Sequence, residues 1–176
     1  FPYYQKEIFM NQRRVVITGL GQISPVGNDV ETAWQNLLAG KSGIGRITKF
    51  DASDVSCQIA GEVKDFDISQ YLPAKEARRM DSFIHYGIAG ALQAIQDARL
   101  DEFTELDKDR VGVNIGSGIG GLPLIEETSR NVVAGGARKI NPFFIPGSLI
   151  NLISGHITIL KGYRGHNYGI VSACAS

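Results

Sequence analysis

The sequence predicts an α/β fold in which a mostly parallel sheet carries helices on its faces. Short β-branched runs alternate with amphipathic helical stretches along the chain, and glycines cluster where one gives way to the other. At 176 residues and 43% hydrophobic content, the chain can fill the core of one ordinary domain. Eighteen basic and eighteen acidic side chains cancel, so no overall field recruits nucleic acid or a membrane surface. Cys57 and Cys174 lie far apart in dissimilar contexts, which predicts reduced thiols and a cytoplasmic setting. The sequence has neither a signal-peptide pattern nor an apolar run of about 18 residues, so secretion and membrane spanning are not expected. FPYYQKEIF precedes Met10, and residues 1–12 are set aside as a tag or N-terminal extension, the folded region being expected from residue 13 to residue 176.

Val15, Val16 and Ile17 read as a buried strand closed by the turn Thr18-Gly19-Leu20-Gly21. A helix follows, capped by Asn28 or Asp29, with Trp34, Leu37 and Leu38 on one face and Gly40 at its end. Gly43 and Gly45 open a loop, and Lys49 to Pro73 reads as a surface excursion with a short strand somewhere in Gln58 to Val63. Ile84, Ile88, Ala91, Leu92 and Ile95 recur at spacings of three and four behind Asp81 or Ser82, which predicts a capped helix packed on the sheet. Arg110 to Ile115 alternates as a second buried strand. Gly116 to Gly121 then turns into a helix with Pro123 near its first position and its end near Gly135. Two prolines make Asn141 to Pro146 an extended connection, because the residue before a proline avoids helical angles. Ser148 to Leu160 reads as a helix and Tyr168 to Val171 as a strand, after which Ser172-Ala173-Cys174-Ala175-Ser176 begins a turn or helix.

Three features bear on chemistry. Gly116-Ser117-Gly118-Ile119-Gly120-Gly121 satisfies G-x-G-x-x-G between a strand and a helix, the context of a dinucleotide fingerprint. No acidic residue stands about 20 positions on to hold a ribose; Arg138 and Lys139 stand there instead and would suit only a phosphorylated ribose, as in NADP. Glycines that allow a tight turn beside a packed helix are the competing reading. Cys174 follows an apolar strand, has small neighbours and lies where a helix would start. Free N–H groups there lower a thiol pKa and can bind an oxyanion, as acyl transfer requires. Its competing reading is a buried, inert cysteine. His85, His156 and His166 form no dyad with it by sequence logic, and no cluster has metal spacing. Lys75, Arg78 and Arg79 in one stretch, and Arg138 and Lys139 in another, read as solvated surface unless they converge on a pocket mouth, where they would suit an acidic protein or a phosphate-bearing carrier.

Taken in order, RRVVITGLGQISPVGN, GKSGIG, KEARRMDSFIHYGIAGALQAIQDA, IGSGIGGL, RKINPFFIP and VSACAS resemble the N-terminal half of β-ketoacyl-acyl-carrier-protein synthase II, the elongating condensing enzyme of type II fatty acid synthesis. The resemblance runs from about Arg13 to Ser176. It implies a thiolase-like, layered helix–sheet–helix fold, a homodimer, no cofactor, and acyl carrier protein as partner in its acyl and malonyl forms. It implies that Cys174 is the nucleophile and that its backbone N–H belongs to the oxyanion hole. Ile119 matches an acyl-pocket position, and Phe144 and Ile145 match a segment at the dimer interface near that pocket. Lys75, Arg78, Arg79, Arg138 and Lys139 match positions that dock the acidic carrier protein. His166 departs from a proline common in the family. The family's catalytic histidines and lysine lie in a C-terminal half beyond this chain, and His85, His156 and His166 do not match them. The chain by itself is therefore expected to be inactive. A non-catalytic half-domain that needs a partner chain is the alternative reading, ahead of an NADP-binding domain.

Overall fold

The computed structural model describes residues 14–176, so the segment set aside at the N-terminus and its boundary lie outside the described residues. The core is built on two helices, α3 (Ser82–Asp97) and α6 (Asn151–Lys161). Ile84, Ile88 and Ile95 repeat at helical spacing and form one buried stripe of α3, and Ile153 and Ile157 do the same on α6. Leu72 and Tyr163 complete the cluster. The helices approach closely because Gly87 has no side chain; a Cβ there would stand 2.7 Å from Ile153 Cγ2.

Strand β3 (Val113–Gly116) pairs in parallel with β4 (Asn167–Ile170), joining Val113 to Asn167 and Gly116 to Ile170. The parallel pairing and the alternation with helices are those of the predicted α/β class. It is α6 that lies on these strands, with α3 packed behind it, so α3 reaches the sheet mainly through α6 rather than resting on it directly. The side chains of β4 are exposed along its whole length.

Helix α1 (Val30–Leu38) starts at Asp29, whose carboxylate accepts from Thr32 N at 2.7 Å. That bond and one from the Thr32 hydroxyl hold the Asp29 carboxyl below its usual range. Only Ala33 of α1 is buried; Trp34, Leu37 and Leu38 are more than half exposed. Helix α4 (Leu122–Gly135) has its proline in the first turn and ends where predicted.

Three expectations are corrected. Val15, Val16 and Ile17 form no strand and are 95%, 64% and 84% exposed. A β-branched run becomes a strand only where a neighbouring edge takes its backbone bonds, and among the described residues none pairs with it. The loop expected at Gly43 and Gly45 is strand β1 (Ile44–Arg46), antiparallel to β2 (Ile59–Gly61), since the glycine needs only a partner to enter a ladder. Asn141 to Pro146 is not extended throughout: Phe144–Ser148 is a short helix, α5. Asn141 turns the chain by accepting from Phe143 N through its side chain and from Phe144 N through its carbonyl. Pro146 then falls in the first turn, where its missing N–H has no partner to lose. The remaining helix, α2 (Ala74–Ala77), is a single turn.

Candidate active site

Cys174 stands in the middle of a 3₁₀ turn, Ala173–Ala175, immediately beyond β4, with its thiol free and exposed. The turn is closed by its own polar groups. Ser172 N donates to Ser176 Oγ at 2.7 Å, and Ala175 N donates to Ser172 O at 3.0 Å. Ala173, directly before the cysteine, has φ of 51°, a left-handed backbone that an L side chain adopts at a cost of about 1–2 kcal/mol. Such strain persists only where surrounding structure imposes it.

Beside the turn stands the glycine motif. Ser117 N donates to Ile170 O at 3.1 Å, which extends the β3–β4 pairing to the edge of the turn. A Cβ on Gly116 would stand 2.6 Å from the Ser176 carbonyl carbon, and one on Gly118 would stand 3.9 Å from Ala173 O. Gly120 has φ of 93°, and a Cβ there would stand 2.8 Å from Ser148 O. The motif is thus a bed for two backbone segments, the cysteine turn on one side and the end of α5 on the other. Gly116, Gly120 and Gly121 each lie against another backbone segment of the chain, which favours the packing reading of these glycines.

Ile119 lies at the crest of this bed, 67% exposed, and lines a cavity of about 310 Å³ together with Ile125, Ser148, Leu149, Ile150 and Val171. Phe144 and Ile145 sit on α5 but do not line the cavity; Phe144 is half-buried and Ile145 exposed. Val171 and Ser148 were not singled out in the sequence. Val171 carries a signal in its position just before the cysteine turn, whereas Ser148 carries none, because its role comes from a contact with Gly120 and Gly121 across more than a helix.

The basic residues divide. Lys75 and Arg78 are exposed on and just after α2, and Arg78 lines a cleft of about 350 Å³ with Asp81, Ser82, Glu127 and Asn141. Arg79 is engaged within the protein: it pairs with Glu76 at 3.5 Å and lies over the Phe143 ring, 4.6 Å from its centroid. Arg138 and Lys139 are exposed on a 3₁₀ turn after α4 and do not line the Arg78 cleft, although Asn141, just beyond them, does.

The three histidines are occupied away from the cysteine turn. His85 Nε2 meets Ala77 O at 2.9 Å. His166 stacks on Tyr168 and covers Gly112. His156 lines a small cavity with Glu76, Arg79, Met80, Phe143 and Pro146; burial pushes its pKa down, partly opposed by the Glu76 charge.

Comparison with known proteins gives one consistent result. A family model described as the Beta-ketoacyl synthase N-terminal domain matches residues 12–176. The 3-oxoacyl-[acyl-carrier-protein] synthase 2 of Vibrio harveyi is 52% identical over 167 residues, covering 95% of this chain and 40% of that protein. The synthase of the same name from Synechocystis is 47% identical with the same coverage. Among solved structures, the ishigamide ketosynthase/chain length factor superposes with a TM-score of 0.80 at 28% identity, over 91% of this chain and 40% of that one. A type II polyketide ketosynthase in complex with its acyl carrier protein superposes with a TM-score of 0.70 at 27% identity, over 87% and 40%. The chain thus spans about 40% of the length of the curated relatives it matches.

Proposed function

Since the chain belongs to the β-ketoacyl synthase family, we propose that it carries the nucleophile of a 3-oxoacyl-[acyl-carrier-protein] synthase II that elongates fatty acids. The observation that bears most weight is the exposed Cys174 thiol, held on a strained turn that lies against Gly116. Cys174 Sγ, as thiolate, attacks the thioester carbonyl of an acyl carrier protein. The acyl C–S bond to the cysteine forms, the bond to the carrier breaks, and the carrier thiol leaves with a proton. Malonyl carrier protein then loses carbon dioxide, and its carbanion attacks the Cys174 thioester. A carbon–carbon bond forms, the cysteine is released, and a β-ketoacyl carrier protein leaves. In this reading the Cys174 backbone N–H steadies the oxyanion of both tetrahedral intermediates, and Ile119 borders the acyl chain.

The carrier protein docks on Lys75 and Arg78, with Arg138 and Lys139 as a second contact. Exposure of all four supports this, as does the carrier-bound ketosynthase to which the chain is similar. Arg79 is the weakest of the five docking candidates, since its charge is already shared with Glu76 and Phe143. The enzyme acts as a cytoplasmic homodimer, a reading supported by the two free thiols and by the exposed apolar Ile145 on α5. Among the described residues no helix is long and apolar enough to cross a membrane.

Full-length protein incubated with acyl carrier protein thioester is expected to gain one acyl group on Cys174, read by intact mass and peptide mapping. The Cys174→Ala variant is expected to lose both acyl uptake and condensation. Condensation retained by that variant would remove the cysteine from the mechanism.

A further inference from the structure

Asp81 precedes α3 and is 7% exposed, but its side chain caps none of the backbone N–H groups of the helix it introduces. Its Oδ2 instead accepts from Leu124 N at 2.8 Å, 43 positions away, while Oδ1 accepts from Ser82 Oγ at 3.0 Å. Leu124 is the third residue of α4, so the carboxylate caps α4 at the position that an N-cap side chain normally serves from within the same segment. The residue that would do so locally is Gly121, which has no side chain to offer. The same aspartate fixes α5: Asp81 N donates to Gly147 O at 3.1 Å, and Ser148 O, one residue on, accepts from Gly121 N at 3.1 Å. Gly121 has space for no Cβ, since one would stand 2.7 Å from Ser148 Cα and 3.1 Å from Asp81 Oδ2.

These contacts form a closed frame. Asp81 holds the first turn of α4 and the end of α5, and these two hold Gly120 and Gly121 between them. Ile119 immediately precedes them, and Gly116, three positions further back, lies against Ser176 of the turn that bears Cys174. We propose that Asp81 is a positioning residue that sets where Ile119 stands on the wall of the cavity it lines with Val171, and so sets which acyl lengths the nucleophile accepts. The effect passes through the Leu124 bond, and Asp81 itself touches neither substrate nor sulfur. A buried, charge-assisted bond of this kind is strong and directional, so losing it frees the start of α4 to shift.

The inference rests on the condensing-enzyme reading, and one experiment separates the two. Full-length protein and its Asp81→Ala, Asp81→Asn and Ile119→Ala variants are each given octanoyl and hexadecanoyl carrier protein thioesters, and single-turnover acylation of Cys174 is followed by mass. The ratio of the two rates is the readout, because a ratio does not change with the fraction of folded enzyme. Ile119→Ala is expected to change it, showing that the assay reads the wall. Asp81→Ala is expected to change it by about tenfold, the scale of one lost buried charge-assisted bond. Asp81→Asn keeps an oxygen for Leu124 N, with the Ser82 hydroxyl free to turn toward the amide, and is expected to stay within about twofold of the native ratio. If Asp81→Ala yields no folded protein, Leu124→Pro takes its place with the same expectation, with Leu124→Ala as the control for the lost side-chain packing on Gly147. A native ratio in Asp81→Ala or Leu124→Pro, or an Asn variant as altered as the Ala variant, overturns the role assigned to Asp81. Acyl uptake by Cys174→Ala overturns the nucleophile reading instead.

Discussion

His156 shows what burial does to one residue. It is half-buried beside Glu76 and Arg79, and its pKa lies below the ordinary histidine value because the charged form loses water. The unfolded chain therefore binds a proton more readily than the folded one, and stability rises with pH across that interval. The contribution is fully present above about pH 6.5, the usual histidine value, and is lost as pH falls toward the depressed folded value. Melting temperature of the full-length protein is expected to drop between about pH 7 and pH 5, and a His156→Gln variant is expected to drop less over the same range. An equal drop in both would assign the acid sensitivity to other groups. Glu76 and Arg79, which share the cavity, are unchanged in that comparison.

At the scale of elements, the α3–α6 pair carries the fold and the short strands are placed by it. Ile88 has no exposed surface, and Ile153 packs against the gap left by Gly87 on the same helix. Ile88→Ala is expected to cost about 2–5 kcal/mol, read as a lowered denaturant midpoint, with Ile88→Val costing about 0.5–1.5 kcal/mol. Equal effects from the two would mean that the site collapses around the smaller side chain. The helices were legible beforehand because a 3.6-residue period, a capping aspartate and a terminal glycine all act within a turn or two of the same segment. The caps were less complete. Asp29 caps its own helix as its position suggests, whereas Asp81, in an equivalent position, caps another helix altogether.

At the scale of the whole molecule, apolar surface is left open around the site. Tyr168, Ile170 and Val171, on the segment leading to Cys174, are all substantially exposed. The isolated 176-residue chain is therefore expected to bind a hydrophobic dye such as ANS and to self-associate, measured by fluorescence and light scattering, more strongly than full-length protein. Equal dye binding by the two would mean that this surface stays open in the larger protein. The sequence alone determined the alternation of strand and helix, the bounds of α4, the strand leading to Cys174, and the family, because each rests on local periodicity or on ordered motifs. It did not determine that Val15 to Ile17 has no strand partner among the described residues, that β1 forms around Gly45, or that Gly116 lies against the cysteine turn. Those depend on backbone edges and close approaches between segments tens of residues apart. A strand needs an edge to pair with, and a buried carboxylate takes the donor that packing brings to it, so only the tertiary structure decided them.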